Sequence, residues 1–192
     1  MSRVRSISGV LLAAGLALAA HAGAAPTDLL DSFEHELATH DSATAVLQAW
    51  CETRHLARPG TRIQAQPVKG ANKLAPPEVL KALGGAAEGA VRYRRVDLKC
   101  GDRVLSQADN WYLPGKLTAE MNLVLDESGT PFGVAVKALN FHRKTLSSAL
   151  RPAPDRVLQH SAVLLNGKGE PFSFVVETYT DQVLAVTASD RP

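Results

Sequence analysis

The chain has 192 residues, 45% of them hydrophobic and 21% charged, with a formal net charge of +2. That length and balance fit one globular domain with a single core, and no internal repeat or long low-complexity linker interrupts it. The charge excludes a binder that works by long-range attraction to nucleic acid or anionic lipid, because a near-balanced surface exerts little pull on polyanions.

The first 24 residues read as a secretory signal peptide. Arg3 and Arg5 form a positive start, Val10 to Ala20 is apolar and uncharged, and Ala22-Gly23-Ala24-Ala25 offers an Ala-x-Ala cleavage pattern. The apolar run is shorter than the ~20 residues that span a bilayer, which weighs against the alternative of a retained anchor. Cleavage is expected after Ala24, leaving a domain over 25–192 in the periplasm or outside the cell, with no membrane contact of its own. Removing Arg3 and Arg5 takes the basic count from 21 to 19, level with the 19 acidic residues. Of the two cysteines, Cys51 and Cys100, neither sits in a C-x-x-C pattern. An oxidising compartment favours a bridge between them; two separate buried thiols are the alternative.

The spacing of Leu29, Leu30, Phe33 and Leu37 predicts a helix from Thr27 to Leu37. Asp41 or Ser42 can cap a second helix carrying Ala43, Val46, Leu47 and Trp50. Arg58-Pro59-Gly60 reads as a turn before a strand near Ile63, and Pro76-Pro77 opens a short helix that Gly84 and Gly85 stop. Val91 to Cys100 and Val104 to Leu113 form a hairpin about Gly101-Asp102. A helix is expected from Leu117 to Leu125, a short segment from Gly129 to Val136, and a loop from Arg151 to Pro154. A second hairpin joins Val157–Leu165 to Phe172–Thr180. Helices first and long antiparallel strands after them predict a single-domain α+β fold, an antiparallel sheet with helices packed on one side.

Two places in the strands could carry chemistry. Arg94 shares a face with Val96, Leu98 and Cys100, so alternation turns it inward, where a guanidinium needs an internal carboxylate or a ligand carboxylate. Glu177 follows Phe174, Val175 and Val176; a partly buried Glu can serve as an acid or base, and an exposed strand position is the alternative. His160 reads as a core histidine, and His142, beside Arg143 and Lys144, as surface. His35 and His40 are spaced wrongly for one metal-binding helical face. Ser106 and Ser161 lack a nucleophile-elbow context. No phosphate loop or zinc signature occurs, and the aromatic residues are too scattered for base stacking.

Four stretches together resemble the chorismate pyruvate-lyase family, and more loosely the related ligand-sensing domains of bacterial transcription regulators. They are Asp41-Ser42-Ala43-Thr44, Tyr93-Arg94-Arg95-Val96-Asp97-Leu98, Trp111-Tyr112-Leu113-Pro114 with Thr130-Pro131-Phe132-Gly133, and Phe174-Val175-Val176-Glu177-Thr178. The resemblance implies the chorismate lyase-like fold and release of 4-hydroxybenzoate and pyruvate from chorismate without metal or cofactor. It also implies Glu177 as the catalytic acid or base and Arg94 or Arg95 as the carboxylate-binding arginine. A gapless match through Cys100 to Pro114 favours Arg95, whereas the alternation favours Arg94; a one-residue slip reverses the face. Phe132 and Ala43 stand where the family has a ligand-touching Leu and a Met. Gln159-His160 stands where the family has an arginine pair, which weakens the case for a second bound carboxylate. The readings are an exported carbon–oxygen lyase, a non-catalytic periplasmic binder of small aromatic carboxylates, or an interaction domain without a pocket. The third gains if Asp97 or Asp109 clamps the inward arginine. Export counts against simple transfer of the lyase activity, because chorismate is made in the cytoplasm.

Overall fold

The computed structural model describes residues 26–185, so the expected signal peptide lies outside the described residues. Helix α1 spans Pro26–Thr39 and buries Leu30, Phe33 and Leu37. Helix α2, Ala43–Thr53, is capped by Ser42, whose hydroxyl accepts the Ala45 amide at 3.2 Å. Its buried face is Ala43, Val46, Leu47, Trp50 and Cys51, and the Trp50 indole donates to the Val183 carbonyl at 2.6 Å.

Six strands form one antiparallel sheet: β1 (Gln64–Pro67), β2 (Arg92–Cys100), β3 (Arg103–Tyr112), β4 (His142–Ala153), β5 (Arg156–Leu165) and β6 (Pro171–Thr180), in the order β1-β2-β3-β6-β5-β4. One face carries Val96, Leu98, Ala108, Ala162, Val175 and Tyr179 against α1 and α2, which makes the main core. Helices α4 (Ala119–Glu127) and α5 (Phe132–Ala135) close the same side further along, around Tyr112, Leu125, Phe132 and Phe172. The expected α+β fold is therefore the one observed. In addition, the six-residue α3 (Pro77–Ala82) covers part of the opposite face, where Val79 and Leu83 meet Trp111 and Phe174.

Two departures from the sequence expectation matter for the site. Residues 142–153, part of which read as a loop at Arg151–Pro154, form the long edge strand β4. Almost every position of β4 is exposed, so it lacks the apolar–polar alternation that marks a half-buried strand. Two irregularities, between Thr145 and Ser147 and between Leu150 and Ala153, interrupt its pairing, with Arg151 at a positive φ of 47°. The second departure is in the first hairpin. Leu98 pairs with Ser106 but Lys99 pairs with Val104, leaving Leu105 as an extra residue in β3.

Cys51 and Cys100 are joined in a disulfide with a Cα–Cα distance of 6.1 Å. It pins α2 to the end of β2 across a sequence separation of 49 residues. Closing a loop of that size stabilises the fold by about 4 kcal/mol on chain-entropy grounds, and measured bridges give about 2–4. Replacing both cysteines by serine should lower the unfolding free energy by about 2–4 kcal/mol in urea titrations; an unchanged midpoint at unchanged slope would contradict this.

Candidate functional site

The cavity lies on the helix-covered face of the sheet, under α2 and α5. It holds about 510 Å³ of atom-free space, part of it open to solvent. Val96, Leu98, Ala108, Leu164 and Val175 form an apolar floor, and Phe132 and Phe141 stand over it. Ala43 and Phe132 both line it. Gly133 lets α5 approach α2 closely: a Cβ there would stand 3.2 Å from the Ser42 hydroxyl and 3.6 Å from that of Thr44. Past Ser42, Thr44, Gly133 and Phe141 a wider space of about 1530 Å³ opens toward Arg62 and Lys137.

Arg94 and Arg95 part company here. Arg94 lines the cavity, and its hydrogen bond runs to the Thr130 carbonyl at 3.3 Å. Among the described residues no carboxylate lies within ion-pair distance of it. Burial lowers its pKa, with Tyr112 and Asp126 partly opposing this, yet an arginine stays cationic at neutral pH. Arg95 points to the other face and grips Asp109 with two bonds of 2.6 and 2.7 Å. Tyr93 also donates to Asp109; burial, then that bond, pushes its phenol up to about 12. Arg95 is thus corrected as a cavity residue. The extra Leu105 in β3 is the reason: counting without a gap through the hairpin slips by one and reverses the face. The arginine clamped by an internal carboxylate is Arg95, while the inward Arg94 is not.

Glu177 also lines the cavity and is 6% exposed, so it is not a surface charge. Its Oε2 accepts from Arg143 at 2.6 Å and from the Tyr179 hydroxyl at 3.0 Å. The Arg143 side chain is 3% exposed, whereas its neighbours His142, read as surface, and Lys144 are open to solvent. Burial works against the Arg143 charge, but Glu177 and Tyr179 outweigh it and the pKa rises. No periodicity in an exposed edge strand could have marked Arg143. Asp41 fastens the start of β4, accepting the Arg143 amide at 2.8 Å and meeting His142 Nδ1 at 3.3 Å.

His160 is buried as expected, 1% exposed. It is not hydrogen-bonded, however: neither ring nitrogen has a partner, and Glu34 stays 3.9 Å from Nε2. Burial, then the Arg143 charge, pushes its pKa below the usual imidazole range. Among the described residues no cluster of His, Cys, Asp or Glu could hold a metal, and no helix is long and apolar enough to cross a membrane.

This α+β architecture is the chorismate lyase-like fold. The effector domain of PhnF from Mycobacterium smegmatis superposes with a TM-score of 0.51 at 12% identity, over 73% of this chain and 88% of that one. A second PhnF structure gives 0.53 at 12% identity, over 77% and 67%. No family model matches the chain. The chain is 41% identical to the uncharacterised protein y4mC of Sinorhizobium fredii, over 81% of this chain and 75% of that protein, and belongs to the same family.

Removing one member of the Arg143–Glu177 pair strands a buried charge. Arg143→Met should cost about 3–5 kcal/mol of stability, and adding Glu177→Leu should restore most of it. Chemical denaturation of the two variants checks this; equal losses in both would contradict it.

Proposed function

We propose that this protein is a binding domain for small aromatic carboxylates, with Arg94 as the anion-binding residue. The observation that carries this reading is a cavity-lining guanidinium with no carboxylate among the described residues within ion-pair distance. A desolvated cation of that kind favours an anionic partner, and Arg offers the planar fork that suits a carboxylate. The walls of Val, Leu and Phe suit an apolar ring. The fold shared with a domain described as an effector domain supports binding rather than turnover.

A second reading keeps the lyase. It is favoured by one observation: Glu177 lines the same cavity as Arg94. Against it, Glu177 is held by Arg143 and Tyr179, which limits its freedom to move a proton. Thermal unfolding with 4-hydroxybenzoate separates the roles of the paired arginines. The native protein and Arg95→Gln should gain stability with ligand, by about 2.7 kcal/mol at a hundredfold excess over Kd, and Arg94→Gln should not. Equal shifts in all three would contradict the assignment. Chorismate should yield no 4-hydroxybenzoate above the uncatalysed background; product formation lost in Glu177→Gln would establish the lyase instead.

The protein is further proposed to act in the periplasm or outside the cell. Support comes from the Arg3–Ala24 segment and from a Cys51–Cys100 disulfide, which persists in oxidising compartments. Intact-mass analysis of exported protein should find Ala25 as the first residue; exported material that begins at Met1 would contradict it.

A further inference from the structure

His160 does not line the cavity, yet it lies where α1, β4, β5 and β6 meet. It stands opposite Ser148 in β4 and opposite Glu177 in β6. Glu34 of α1 comes within 3.9 Å of its Nε2, and the Tyr179 ring meets it edge-on with centroids 6.1 Å apart. The residue is 1% exposed, and neither ring nitrogen has a hydrogen-bond partner among the described residues. A neutral imidazole carries one donor and one acceptor. Burying both unmet costs stability that an apolar side chain would not cost.

Two side-chain ties of the edge strand end on the carboxylates beside this imidazole. Ser148 donates to Glu34 Oε1, and Arg143 donates to Glu177 Oε2 at 2.6 Å. A proton on His160 places a cation next to both carboxylates and next to Arg143, in surroundings where charges act strongly on one another. Glu34, Arg143, Glu177 and Tyr179 are the ionisable groups that face it from α1, β4 and β6 among the described residues. Burial, then Arg143, holds the imidazole below its usual pKa, with Glu177 and Glu34 opposing. The unfolded chain takes up that proton near about pH 6.5. The folded state therefore binds fewer protons below that pH, and its stability falls with pH until its own depressed pKa is passed. Strand β4 has little to resist the strain: almost every position is exposed and its pairing is interrupted twice.

We propose that His160 makes the corner between α1 and β4 an acid-sensitive latch: its protonation draws Glu34 away from Ser148, contests Glu177 with Arg143, and releases β4. Arg143 lines the cavity and travels with β4, so release opens the cavity on that side. The latch acts on the cavity wall whatever the ligand is, and it stands apart from the carboxylate reading.

The test is amide hydrogen exchange on the full chain between about pH 7.5 and 5.5, corrected for the intrinsic pH dependence of exchange. One proton taken up on opening raises the opening constant by up to about tenfold per pH unit below about 6.5. Amides of α1 and β4 should therefore lose about tenfold in protection on acidification, while those of β2 and β3 keep theirs. His160→Leu should abolish this loss, and His142→Gln, which removes the exposed histidine of the same strand, should retain it. In the native protein the His160 imidazole should stay neutral at pH 6.5 in a nuclear magnetic resonance titration. Equal loss of protection across the sheet, or none, overturns the latch. So does an acid response that survives in folded His160→Leu or vanishes in His142→Gln, or a His160 midpoint at or above about 6.5. The exchange and titration of the native protein need no variant, so poor folding of His160→Leu leaves the latch open to refutation.

Discussion

Burying a guanidinium costs several kcal/mol unless an anion and hydrogen bonds repay it, and the cavity face of this protein holds one that is almost wholly buried and one that is partly buried. One is balanced internally: Arg143 reaches from the edge strand to Glu177, with Tyr179 supplying a third group to the same carboxylate. The other, Arg94, has a backbone carbonyl and, among the described residues, no carboxylate within ion-pair distance. This asymmetry is what distinguishes the face from an ordinary core. A protein under selection for stability alone gains nothing from an inward Arg94, since an apolar residue would pack beside Val96 and Leu98 at no desolvation cost.

The rest of the architecture holds that asymmetry in place. The bulge at Leu105 sets the β2 register, so that Arg94 faces the helices and Arg95 faces Asp109. The disulfide ties α2 to the far end of the same strand. Gly133 lets α5 close down on Ser42 and Thr44, which brings Phe132 and Phe141 over the apolar floor. Sheet register, bridge and close helix approach act together to hold the Arg94 guanidinium over an apolar floor.

Much of this was legible in the sequence where side chains alternate. The period of two in Arg94, Val96, Leu98 and Cys100 predicted the inward arginine, and the structure places it there. The apolar run before Glu177 left burial and an exposed strand face both open, and the residue is buried. What stayed hidden lacked a local pattern. Strand β4 is exposed almost throughout, so nothing in its composition distinguishes a paired edge from a loop. Arg143 gains its meaning only from a carboxylate 34 residues away. The choice between Arg94 and Arg95 turned on one extra residue in the opposite strand, and bulges leave little trace in sequence.

The account stands on Arg94 as the anchor of a bound carboxylate. A crystal structure of the protein with 4-hydroxybenzoate tests that directly. It should place the ligand carboxylate within hydrogen-bonding distance of the Arg94 guanidinium, with the ring between Phe132 and the β-sheet floor. A ligand carboxylate held elsewhere, with Arg94 still on the Thr130 carbonyl alone, would contradict it.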